Sequence, residues 1–182
     1  LEVLILEKRG LPLVSFGTLV RSGAITDPPE IPGVDNLTAS MLSEGTKKRS
    51  SSQIADLLES LGSHLNSVAS RECALVSTEA LTNHWESALE IISDVLINPT
   101  FPKHEFSRVR DELIADLRRV SDNPATIASR ASRAILYGPN SRYGHPADGT
   151  EASIGLVDVN TLSQHYASHY GPKTCLLYTS PS

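Results

Sequence analysis

The groups in this 182-residue chain that could bind a metal or move a proton are its six histidines, two cysteines and twenty-one carboxylates. His165 and His169 stand four apart, the spacing that places two imidazoles on one helical face. The intervening residues, Tyr166, Ala167 and Ser168, include no glutamate to act as a base, so the pair reads as a polar helix face rather than a metal site. His64 falls in a Gly62–Asn66 turn, where a lone histidine is ordinarily solvated or hydrogen-bonded. His84 and His104 stand beside expected helix starts, and helix-end contacts account for them. Asp116 shares a helix with Arg110, Arg118 and Arg119, where a carboxylate is ordinarily an ion-pair partner. Cys73 and Cys175 form no CxxC pair and read as small buried hydrophobes. GxSxG, GxxxxGK[ST] and HExxH are all absent. Residue types and spacing alone yield no catalytic constellation.

The elements that would position these residues follow from periodicity. Residues 2–7 and 12–22 are rich in β-formers and read as strands, with Arg9-Gly10 as the turn between them. Prolines and glycines make 23–33 a loop. Val34, Leu37, Met41 and Leu42 recur at helical steps, which predicts a helix over 33–44. A second helix, capped by Ser50, Ser51 or Ser52, ends at Gly62. Strands follow at 63–69 and 73–81, then a helix capped by Asn83 and stopped at Asn98-Pro99. The longest helix runs from Lys103 to about Ser121, Asn123-Pro124 breaks it, and an alanine-rich helix continues to Leu136. A polar loop spans 137–150, a last helix spans 158–169, and a strand starts at Thr174. Paired strands separated by paired helices predict an α+β sandwich, a mixed sheet with helices on one face.

Composition sets outer bounds. The chain is 40% hydrophobic with a net charge of −5, which suits one domain with a core and offers no basic stripe for nucleic acid. No apolar run is long enough to span a bilayer.

Several segments in order resemble the pitrilysin/insulinase (M16) peptidase family. Gly33-Val34-Asp35-Asn36-Leu37-Thr38-Ala39-Ser40-Met41, followed by Gly45-Thr46, resembles its metal helix and the Gly-Thr beyond it. Leu61-Gly62 to Asn66-Ser67 is similar to its turn into a substrate-facing strand. Leu89 to Phe101, Arg108 to Asp116, Tyr143 to Pro146 with Gly149-Thr150, and His165 to Pro172 each resemble later family segments, so the match runs from about Val14 to Thr174. The resemblance implies an M16 N-terminal-type domain over 1–176, of the LuxS/MPP-like metallohydrolase fold. Residues 177–182 are expected to be a non-native or truncated tail, and the chain a fragment whose start is missing.

Active relatives carry an inverted zinc motif, HxxEH, whose histidines bind zinc while its glutamate takes a proton from the metal-bound water. Set on this sequence, the first histidine position is Asn36, the glutamate is Ala39 and the second histidine is Ser40. The third-ligand position falls on Asp116. The resemblance therefore implies a homologue with no catalytic residue and no cofactor of its own, zinc belonging to its active relatives.

Two roles are implied for such a homologue. One is a non-catalytic subunit or half of a zinc metallopeptidase, shaping the peptide-binding chamber for an active M16 subunit or second M16 domain. The strand Leu65, Asn66, Ser67, Val68 and Ala69 would then present its backbone to an extended peptide substrate. The other is a structural or assembly subunit similar to respiratory-complex core proteins. The compartment stays open between bacterial periplasm, bacterial cytoplasm and mitochondrion.

Overall fold

Alternation of apolar and polar residues organises the sheet. The computed structural model describes residues 1–7, 10–138 and 141–181; Arg9 of the expected turn and Pro139 of the polar loop fall outside them. In β2 (Leu13–Val20), Val14, Phe16, Thr18 and Val20 are buried while the residues between them are partly exposed. In β4 (Ala74–Leu81), Ala74, Val76, Thr78 and Ala80 are buried and Leu75, Glu79 and Leu81 are exposed. A period of two puts these sets on opposite faces, so the helices cover one face only.

With β1 (Glu2–Ile5), β3 (Leu65–Ala69) and β5 (Cys175–Pro181), the described residues form a five-stranded sheet in the order β1-β5-β2-β4-β3. β1 runs parallel to β5, and the remaining pairs are antiparallel. The sheet is therefore mixed and the fold α+β, as expected. Residues 177–181 belong to β5. Leu177 pairs with Val3 of β1 on one side and Thr18 of β2 on the other. The strand expected to begin at Thr174 is thus an interior strand of the sheet.

The helices follow the local signals closely. α1 (Val34–Met41) runs on into a 3-10 turn at Leu42–Glu44. α2 (Ser51–Ser60) starts at a capping box in which Ser50 and Gln53 satisfy each other's backbone amides. α3 (Trp85–Ile97) begins after His84, which makes no side-chain cap, rather than at the expected Asn83. α4 (Lys103–Ser121) and α5 (Pro124–Tyr137) are separated at Asn123, whose side chain caps α5. A short α6 (Glu151–Gly155), capped by Thr150 and Ser153, follows the 137–150 loop, where the sequence reading places no element. α7 (Val159–His169) is capped by Asp158. Leu37, Met41, Leu42, Ile92, Val95, Ile154 and Leu162 are fully buried in one core cluster, where α1 and α3 pack on the sheet, α7 on α1 and α6 on α4.

Two of the segments that carried the resemblance prove to be contact partners. The Thr46 hydroxyl donates to Asp94 Oδ2 at 2.7 Å, Arg49 Nη1 reaches the same oxygen at 2.8 Å, and Asn98 Nδ2 donates to Oδ1 at 3.0 Å. Burial pushes the Asp94 carboxyl up, but the bonds from Thr46, Asn98 and Arg49 outweigh it and hold the group below the usual carboxylate range. The Gly-Thr after α1 and the aspartate before Asn98-Pro99 are thus two sides of one buried joint.

Candidate functional site

α1 starts at Gly33, whose φ of +95° and close approach to Asp148 and Gly149 leave no room for a Cβ. From that start the helix places Ala39 in full burial and leaves Asn36 and Ser40 partly exposed. The Ser40 hydroxyl donates back to the Asn36 carbonyl at 3.0 Å. The Ala39 carbonyl accepts from the Ser67 hydroxyl of β3 at 2.7 Å. α1 thus lies directly against β3, and it also packs on α4 and α7.

The donor set does not fit zinc. Asn36 and Ser40 offer neutral oxygens, Ala39 offers a methyl group, and zinc sites are built from imidazole, thiolate and carboxylate. Asp116 is exposed on α4 and pairs with Arg119 at 2.9 Å, the bland role anticipated for it. No group of three His, Cys, Asp or Glu side chains among the described residues is arranged to hold a metal ion.

β3 pairs with β4 alone among the described strands, so its other edge carries unpaired backbone groups. Asn66 and Val68 face outward, while Leu65, Ser67 and Ala69 are half-buried toward α1. A strand edge of this kind is a template for an extended chain. His64, at its start, is exposed, and its carbonyl accepts from Thr78. His104 is exposed beside Glu105, and both cysteines are free and only half-buried.

One cluster departs from the reading of the residues. His165 is not on a polar face: it is buried, and its Nε2 meets Asp35 Oδ1 at 2.9 Å. Asp35, with no exposed surface, also accepts from Ser22 at 2.7 Å, and Thr26 lies beside Ser22. Asp27 accepts the backbone amides of Gly33 at 2.6 Å and Asp35 at 2.9 Å. Burial outweighs these two bonds and lifts Asp27 to about 6. Neither Tyr170 Oη nor Asp35 Oδ2 has a hydrogen-bond partner within normal geometry, and burial beside Asp35 pushes the Tyr170 phenol well above its ordinary value. His169 stacks on His165 at 4.4 Å between centroids. His165 therefore fastens α7 to the start of α1. An acidic residue in the first turn of α1 was visible in the sequence, but nothing local marked a partner 130 residues away.

The geometry sets an exposed strand edge, β3, directly against α1, on a mixed α+β scaffold. The chain matches the profile of Insulinase (Peptidase family M16) over residues 2–142 and belongs to that family. The solved structure of a peptidase M16 inactive domain from Pseudomonas fluorescens matches with a TM-score of 0.92 and 29% identity, covering 98% of this chain and 43% of that one. Among sequences, the uncharacterized zinc protease YmxG of Bacillus subtilis is 25% identical over 159 residues, covering 87% of this chain and 39% of that protein. Subunit alpha of the mitochondrial-processing peptidase of Solanum tuberosum is 28% identical over 170 residues, 93% of this chain and 33% of the subunit. Subunit beta from Mus musculus is 26% identical over 171 residues, 93% and 35% respectively. The chain thus spans well under half the length of these relatives. No helix among the described residues is long and apolar enough to cross a membrane.

Proposed function

We propose that this domain is a non-catalytic part of an M16-type zinc peptidase, shaping the peptide chamber for an active subunit or second domain. The observation that carries the proposal is α1 itself. Its packing is intact, with Val34, Leu37, Ala39 and Met41 fully buried, while its three motif positions hold Asn36, Ala39 and Ser40. A helix kept in place after losing its ligands serves the fold around it. What remains beside it is the free edge of β3, held to α1 by the Ser67–Ala39 bond. An extended peptide added there gains main-chain hydrogen bonds without chemistry from this domain. Relatives named as subunits alpha and beta of one peptidase, and a neighbour titled an inactive domain, support a division of labour of this kind.

The test is reconstitution with an HxxEH-bearing chain. The proposal predicts co-purification and raised peptide turnover. Turnover unchanged by this chain would remove the partner role, and stable incorporation into a larger assembly with no effect on proteolysis would favour a structural subunit instead.

A further inference from the structure

The turn that follows β3 carries an arginine with an unusual task. Arg71 Nη1 donates to the carbonyls of His145 at 2.8 Å and Tyr143 at 3.1 Å, with Arg142 O more distant at 3.4 Å. These bonds hang the 141–149 loop on the end of β3 and leave Nε and Nη2 of the fork uncommitted to them. The loop and α5 then face each other across a polar cavity of about 400 Å³. Arg71, Arg130, Arg133 and His145 line it, against a single carboxylate, Asp148. Asp148 takes Arg130 Nη2 at 2.8 Å. Three guanidinium charges therefore face one carboxylate, a surplus of two before His145 contributes. The Arg133 side chain has no ion pair or hydrogen bond with any described residue. The amino end of α5 is satisfied internally, because Asn123 Oδ1 accepts from Ala125 and Thr126. Guanidinium groups, and not a helix end, are what a ligand would meet.

The position matters as much as the charge. Arg71 lies two residues past Ala69, the last residue of β3. An extended chain advances about 3.3 Å per residue, so a peptide paired along β3 that overruns this end by a residue or two comes level with Arg71, which lines the cavity. We propose that the cavity captures a carboxylate of the peptide lying along β3, either its free C-terminus or an acidic side chain near it. The proposal rests on the edge-strand reading above and adds a substrate class to it. Planar guanidinium forks suit carboxylates by geometry as well as charge, and partial exposure makes the preference weaken with salt.

The experiment measures binding of three fluorescent peptides of one extended sequence to this chain. One ends in a free carboxylate, one in an amide, and one in an amide with glutamate as its last residue. The proposal predicts that at least one carboxylate-bearing peptide binds about tenfold more tightly than the plain amide. If the free-acid peptide alone does so, the source is the terminus; if the glutamate peptide does so, a side chain suffices. Arg133→Glu, at an exposed residue whose side chain has no partner among the described residues, should bring all three within about twofold. Equal binding of all three to the unmodified chain would overturn the proposal and leave the edge-strand reading standing. N-acetylglycine, too short to pair along β3, gives the converse control by NMR. If no peptide binds but N-acetylglycine shifts the amides of residues 129–134 and 143–148, the edge-strand reading fails and the carboxylate site stands. No binding and no shifts would overturn both.

Discussion

His165→Ala probes the joint that seats the motif helix. The side chain is 4% exposed, and its partner Asp35 is 0% exposed. Asp35 Oδ1 accepts from His165 and from Ser22, while Oδ2 has no partner. Removing the imidazole leaves a buried carboxylate with one donor in place of two and opens a void between α1 and α7. Breaking a buried pair by deleting one member costs about 3–5 kcal/mol. For a domain of this size each kcal/mol corresponds to roughly 2–4 °C. Melting should therefore fall by about 6–20 °C, with a matching drop in the urea midpoint. Adding Asp35→Asn to His165→Ala removes the stranded charge, so the double variant should be more stable than the sum of the two single losses implies. A loss below about 1 kcal/mol, or strict additivity in the cycle, would refute the claim that this pair fastens the helices.

Other outcomes follow from the same geometry. Asp27 has a folded-state value near 6 against an ordinary value of 3.8, so its contribution is fully present below about pH 4 and lost as pH rises through 6. Between pH 4 and 7 the unmodified chain should lose about 3 kcal/mol relative to Asp27→Asn in urea titrations, and a pH-independent difference would contradict this. Thr46→Val deprives Asp94 of a donor and the Lys48 and Arg49 amides of an acceptor. A loss of about 2–3 kcal/mol is expected by chemical denaturation, against near-neutrality if the joint is dispensable. Ala39→Glu, at the position proposed to match the base of the family motif, places a carboxylate where there is no exposed surface. It should cost about 3 kcal/mol or more in the same assay, and an unchanged midpoint would show that the helix still keeps room for a catalytic glutamate.

What the sequence made legible was local. The end of α4 could be placed because Asn123-Pro124 follows it, and α2 because serines at 50–52 can cap its start and Gly62 stops it. The helix that carries Asn36, Ala39 and Ser40 was legible because Val34, Leu37, Met41 and Leu42 recur at helical steps. What escaped depended on distant partners. β5 is recognisable as a central strand only once β1 and β2 are seen to bracket it. His165 looked polar because periodicity cannot reveal that Asp35 awaits it on another helix. The basic cavity draws Arg71, Arg130, Arg133 and His145 from three separate segments, none of which carries a charge run of its own.

The central claim is that the M16 helix survives here as scaffold, its zinc chemistry gone with its ligands. Metal analysis of the purified chain, paired with a chelator-controlled peptidase assay, addresses it most directly. The account predicts zinc far below one per chain and no chelator-sensitive cleavage. One zinc per chain, with peptidase activity that a chelator abolishes and zinc restores, would contradict it.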